Sequence, residues 1–266
     1  MAVHTALEYL ARLPRSLVHA IGRKVVRTDL VLAAAVSVAV IVAILSMPEL
    51  LLPMAEEVLK ALNAILPLAL FIIGVIHGLK PDEHTWPITV SYAMMQRSLR
   101  GVLTATAVFN GALTLVWTAL SAAVGLLPNA LFRGAYDWLV DVLVGVTMIT
   151  IAAVYIHRGE AKADAPDYKA IWIHGLAASF GGDFFVVLAL ALAVKTLYLA
   201  IPTALVGLLF GIGSFTGQLA VVISTYRGLL RIAKAPYVLV RAGRMALLFL
   251  GFFLIGLGLY TLIFPN

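Results

Sequence analysis

Long runs of uncharged, mostly apolar residues recur along this chain, separated by short segments that carry most of its charges. A helix crossing the hydrocarbon core of a bilayer needs about 20 apolar residues. Segments near 30–52, 62–92, 101–127, 138–157, 170–194, 196–226 and 240–264 meet that requirement. The pattern predicts an all-α fold, a polytopic transmembrane helix bundle of about seven spans. The two longest segments, 62–92 and 196–226, contain internal helix breakers and a polar centre, so both are predicted to be broken helices.

Composition agrees with the pattern. Of 266 residues, 62% are hydrophobic and 12% charged, whereas a soluble domain has about half its residues apolar and about a quarter charged. The absence of cysteine excludes disulfides, thiolate metal sites and iron–sulfur clusters, so a bound metal would have nitrogen and oxygen ligands. The net charge of +6 is not a nucleic-acid footprint, because the cations fall between the apolar runs. With the amino terminus on the cytoplasmic side of a plasma membrane, the inner segments hold every Lys and Arg except Lys60, Arg133 and Lys195. Seven spans then put the carboxyl terminus outside.

The expected organisation is a basic amphipathic segment at 1–28, a first span within 29–60, and two units at 61–165 and 166–266. In residues 1–28, Val3, Leu7, Leu10, Leu17, Ile21 and Val25 recur at helical spacing among Arg12, Arg15, Arg23 and Lys24, which suits a helix on the inner membrane surface and equally a partly ordered leader. Charges recur as far as Asp29, which argues against a cleavable signal peptide. Ile76-His77-Gly78-Leu79 returns as Ile173-His174-Gly175-Leu176, 97 residues later. Three spans per unit would insert the second copy inverted, giving a 3+3 inverted repeat with one extra span in front, an architecture common among secondary transporters.

The chemistry concentrates in Ile76-His77-Gly78-Leu79-Lys80-Pro81-Asp82-Glu83-His84-Thr85-Trp86-Pro87, which apolar sequence flanks on both sides. Ionisable groups at membrane depth cost roughly 2.5–3.5 kcal/mol each for Asp, Lys or Arg, so a cluster of them there calls for a function. In an unbroken helix, His77 and His84, seven apart, would share nearly one face with Asp82 between them. Two imidazoles and one or two carboxylates suit Ni²⁺, Co²⁺ or Zn²⁺ better than Ca²⁺ or Mg²⁺. Pro81-Asp82-Glu83 is also a good helix start, and that reading would leave His84 cytoplasmic.

The stretch from His77 to His84 resembles the signature of the nickel/cobalt transporter family and related nickel permeases associated with urease and hydrogenase. Members carry a histidine, four residues, then an adjacent aspartate and histidine on the second helix of the transport core. The resemblance implies that His77, Asp82 and His84 are metal ligands or selectivity determinants and that the substrate is Ni²⁺ or Co²⁺. Here Glu83 is inserted between Asp82 and His84, which changes their relative direction and adds a further candidate ligand. The match covers about ten residues.

The second unit lacks the Asp-Glu-His cluster but keeps His174 and, after Gly181 and Gly182, Asp183; both are candidate metal residues. Gly213 and Gly217, four apart, predict close helix packing, while Asn110, Ser214, Thr216 and Gln218 are candidates to line a path. Asp137 and Asp141, one turn apart at the outer end of the fourth span, read as a solvated helix end, the alternative being acids that concentrate cations at an entrance.

No Gly-x4-Gly-Lys-Ser/Thr loop is present, so transport would follow a gradient or the membrane potential. Neither an enzymatic activity nor a cofactor is expected, the ion being substrate; the partners are that ion and the bilayer, and a homo-oligomer stays open. Two other classes remain in view. An intramembrane zinc-dependent hydrolase would need an open metal position and a water to activate. A 3+3 exporter of amino acids or small anions would show no metal dependence. A retinal photoreceptor is disfavoured because the last span has no lysine for a Schiff base. Since neutral imidazole is the ligating form, Ni²⁺ uptake into vesicles should weaken as pH falls below about 6.5; a flat profile from pH 8 to 5 would exclude imidazole ligation.

Overall fold

A computed structural model describes residues 15–46, 51–62, 65–126, 137–157, 167–181, 183–197, 201–233 and 235–264, and among these the regular structure is helical, with no strand. Among the described residues ten helices follow one another: α1 Arg15–Ser46, α2 Leu51–Ala61, α3 Leu66–Leu79, α4 Trp86–Met94, α5 Leu99–Leu126, α6 Asp137–His157, α7 Tyr168–Ala178, α8 Asp183–Leu197, α9 Ala204–Ala233 and α10 Pro236–Ile263. Four of them contain stretches long and apolar enough to cross a membrane: Thr28–Ser46, Leu99–Leu126, Ala204–Ala233 and Tyr237–Ile263.

Their faces explain the composition. On α1, Leu32, Ala33, Val36, Val40 and Ile44 form a buried stripe, while Val31, Val38, Val42 and Leu45 are exposed. Both faces are apolar, so the outward one is suited to lipid chains rather than to water. Of the predicted surface helix at 1–28, residues 1–14 lie outside the described residues. From Arg15 the backbone is helical and runs unbroken through the first apolar stretch to Ser46, so one continuous helix replaces a separate surface helix and span; residues 47–50 lie outside the described residues.

The two segments predicted to be broken behave differently. The first is broken: α3 ends at Leu79, because the residue before Pro81 takes extended backbone (Lys80 φ −67°, ψ 132°), and a new helix begins at Trp86 with Pro87 in its first turn. The second is not, since α9 runs continuously from Ala204 to Ala233. The second interruption lies one segment earlier, between α7 and α8, where the chain turns at Ser179, Phe180 and Gly181. The glycines of α9 serve packing. A Cβ on Gly213 or Gly217 would overlap the backbone of α3 at Phe71 or Val75, and one on Gly207 would overlap that of α5 at Trp117. From the other side, Gly74 and Gly78 of α3 press on the α9 backbone at Phe210 and Ser214. Two facing small-xxx-small motifs thus bring the helix axes close, the arrangement that compensates for the weak hydrophobic drive between helices in lipid.

The core is built around α9, which packs on α3 and α5, while α10 packs on α6, α1 and α4, and α7 lies along α5. A half-buried ion pair ties the first helix to the last: Arg241 Nε of α10 lies 2.7 Å from Asp29 Oδ2, and Asp29 is fully buried. One turn on, the buried Arg244 donates from Nη1 to the Tyr155 carbonyl at 3.0 Å, holding α10 to α6. Gly78→Ala should lower the thermal midpoint of the detergent-solubilised chain, by an amount corresponding to about 1–3 kcal/mol of overpacking. Gly256→Ala, whose Cβ would meet nothing within 4 Å, should leave it unchanged; equal effects would refute the close approach of α3 and α9.

Candidate metal centre

The interruption between α3 and α4 folds on itself. Asp82 Oδ2 accepts the backbone N–H of Thr85 at 2.7 Å, the Trp86 N–H reaches the Asp82 carbonyl at 3.1 Å, and Thr89 Oγ1 donates to the Thr85 carbonyl at 2.8 Å. These bonds fix a tight turn in which one carboxylate oxygen holds the backbone just ahead of the next helix. The other oxygen, Oδ1, then faces the His84 ring, 3.7 Å from Nδ1, and Glu83 Oε1 lies at the same 3.7 Å from that nitrogen. One ligand atom from each of Asp82, Glu83 and His84 falls within 4.8 Å of the others, the group of metal-ligating side chains that the described residues bring together. Asp82 and His84 are buried, whereas the Glu83 side chain keeps 27% of its surface exposed and forms the open edge of the cluster.

His84 has a third carboxylate neighbour. Its Nε2 lies 2.8 Å from Oδ1 of Asp141, on α6, which is also buried. The expectation of a solvated helix end at Asp141 is therefore corrected. The signal that marks it is an acid one turn into an apolar helix, where solvation is lost; the side chain of Asp137, by contrast, lies outside the described residues. The second interruption closes over the ring: a Cβ at Gly181 would overlap His84, so only glycine lets the turn after α7 approach this closely. That turn is held in place by Trp117 of α5, whose Nε1 donates to the Ser179 carbonyl at 3.0 Å.

His77 and His174 are outside the three-residue group. The break at Pro81 removes the helical register that would have aligned His77 with His84. His77 is instead fully buried among aromatic rings, stacked on Phe210 at 5.0 Å and 24° and edge-on to Trp117 at 5.6 Å. His174 is likewise buried, its Nδ1 2.9 Å from the hydroxyl of Tyr92 on α4. Asp183 opens α8, but its side chain is outside the described residues. Among the polar candidates of α5 and α9, Asn110 Nδ2 donates to Gln218 Oε1 at 2.9 Å, a buried link between the two helices. Gly213 and Gly217 pack as anticipated.

The donors are thus one imidazole nitrogen and carboxylate oxygens in a mostly dry, preshaped turn. Such a set can take a divalent transition ion, and the absence of thiolate disfavours Cu⁺. Comparison of the chain with protein-family models, with curated proteins and with solved structures finds no match. Gly181→Ala should displace the His84 ring and shift its ring-proton signals in the NMR spectrum of the histidine-labelled chain while leaving those of His174 in place. Unmoved His84 signals would mean that the two interruptions do not touch.

Proposed function

We propose that this protein is a secondary membrane transporter of a divalent transition-metal ion, Ni²⁺ or Co²⁺, which passes through a site made by Asp82, Glu83 and His84. One observation carries the reading: three ligating side chains of the right chemistry converge in a break between two half-helices. For bonds of about 2.1 Å, two donors on one ion lie at most about 4.2 Å apart. The Asp82–His84 and Glu83–His84 separations of 3.7 Å fall below that limit but beyond ordinary hydrogen-bond range. The resemblance of His77 to His84 to the nickel/cobalt transporter signature points the same way. His77 then acts from its aromatic surroundings, as a group on the ion's route rather than a fourth ligand in this state.

The helix arrangement supports the transport part of the reading. Setting aside α2, which at 11 residues is too short to cross a bilayer, and counting α3 with α4, and α7 with α8, as single interrupted crossings gives seven, with α1 added to two units of three. The pairings exchange as an internal two-fold would require: α3 of the first unit packs on α9 of the second, and α7 of the second packs on α5 of the first. The repeated His-Gly pair agrees, since Gly78 presses on the α9 backbone and Gly175 on the α5 backbone at Phe109. Interrupted helices meeting at a repeat interface are where secondary transporters bind substrate. With a cytoplasmic amino terminus, an outside carboxyl terminus and a plasma-membrane location, the potential contributes roughly 4.6 kcal/mol per 100 mV to the movement of a divalent ion.

The test is uptake of Ni²⁺, Co²⁺ and Zn²⁺ by proteoliposomes holding the full chain, with and without an imposed potential. Asp82→Ala and His84→Ala should each reduce Ni²⁺ or Co²⁺ uptake at least tenfold while inserting normally. Wild-type rates in both variants would overturn the proposal, and metal-dependent hydrolysis without uptake would favour a hydrolase.

A further inference from the structure

We infer that Asp141 is the positioning residue of this centre: it occupies the Nε2 side of the His84 ring and so makes Nδ1 the nitrogen that holds the transported ion. The inference rests on the metal-transport reading above and adds which atom binds and what aims it. The two ring nitrogens stand in different company. Nε2 is 2.8 Å from Asp141 Oδ1, while Nδ1 is 3.7 Å from both Asp82 Oδ1 and Glu83 Oε1. A carboxylate offers only lone pairs. Nε2 is the nitrogen in ion-pair contact with a carboxylate, 2.8 Å away, so in the neutral, ligating form of the ring the hydrogen belongs on Nε2. A neutral imidazole has one N–H, and its free lone pair is therefore on Nδ1, facing the two acids at a separation that matches donors sharing an ion. Carboxylate–histidine–metal arrangements of this kind set ring orientation and ligand basicity.

The surroundings restrain both partners. Gly181 of the second interruption lies against the imidazole, so the ring is held between the turn after α7 and the head of α6. Behind Asp141, Gly258 of α10 approaches so closely that a Cβ there would stand 2.8 Å from the Asp141 Cβ. Asp141 thereby couples α6 and α10 to a ligand carried on the α3–α4 break, and a shift of α6 would turn the ring.

The experiment uses the full chain in nanodiscs with ¹⁵N-labelled histidine, first metal-free and then with ¹¹³Cd²⁺ as a magnetic probe and Ni²⁺ for affinity. Metal-free His84 should carry its hydrogen on Nε2, and ¹¹³Cd²⁺ should couple to Nδ1. In Asp141→Asn, the amide can donate to Nε2, the hydrogen moves to Nδ1, and Ni²⁺ affinity falls roughly 10–100-fold. The His174 ring signals should stay in place, which separates this effect from unfolding. A metal-free wild-type ring with its hydrogen on Nδ1 and none on Nε2, cadmium coupling to Nε2, or an Asp141→Asn chain with the wild-type tautomer and affinity would each overturn the inference. A wild-type chain that binds neither ion would overturn the transport reading instead, while its metal-free tautomer would still judge the role of Asp141. Should Asp141→Asn fail to fold, the wild-type tautomer and the cadmium coupling decide the matter.

Discussion

A helix interrupted inside an apolar bundle frees peptide groups that no water can satisfy, and the rest of this structure is arranged around that constraint. At the first interruption, the Lys80 N–H still reaches back to Ile76 and His77, the Thr85 N–H is taken by the Asp82 side chain, and Trp86 returns to the Asp82 carbonyl. At the second, Ser179 and Gly181 turn back onto Gly175 and Ala178, and Trp117 covers the Ser179 carbonyl from α5. Asp82 illustrates the economy of the solution: one carboxylate oxygen completes the backbone, leaving the other directed at His84. Structure and candidate chemistry share a single side chain.

The two turns can meet only because the helices that carry them approach closely. Glycines on α9 face α3 along one side and α5 along the other, and glycine on α7 faces α5, so backbone rests on backbone through the centre of the bundle. In lipid, where association gains little from hydrophobicity, that contact supplies the dispersion energy that helix packing needs. Gly181 extends the same principle to a side chain, removing a methyl group's worth of bulk so that a turn can lie on an imidazole. Polar links then fix the register: Asn110 to Gln218 between α5 and α9, and Arg241 to Asp29 between α10 and α1.

The four long apolar helices were legible because such stretches depend on composition over about 20 residues at a time. The break at Pro81 was legible because proline acts locally, removing an N–H and constraining the residue before it. The second break was misplaced for a physical reason. Gly211 to Gly217 looks as flexible as Gly181-Gly182, and only a partner helix distinguishes glycines that serve close packing from glycines that serve a turn. The partnership of His84 with Asp82 and Glu83 follows from adjacency in a tight turn. That of His84 with Asp141 does not, because an acid near a helix end looks solvated until another element covers it. His77 was separated from the cluster by the very break that assembles it.

By itself the sequence determined that this chain is a helical bundle suited to lipid, that an aspartate, a glutamate and a histidine cluster beside a helix-breaking proline, and that no thiolate can take part. These properties reside in residue type and short-range order, which no packing alters. The tertiary structure decided which interruption faces which, that Asp141 leaves solvent to stand beside His84, that His77 and His174 occupy separate buried surroundings, and how the two nitrogens of one ring are distinguished. Such outcomes depend on distances between segments remote in the chain, set by how closely glycine-lined helices can approach, and no local pattern of residues encodes them.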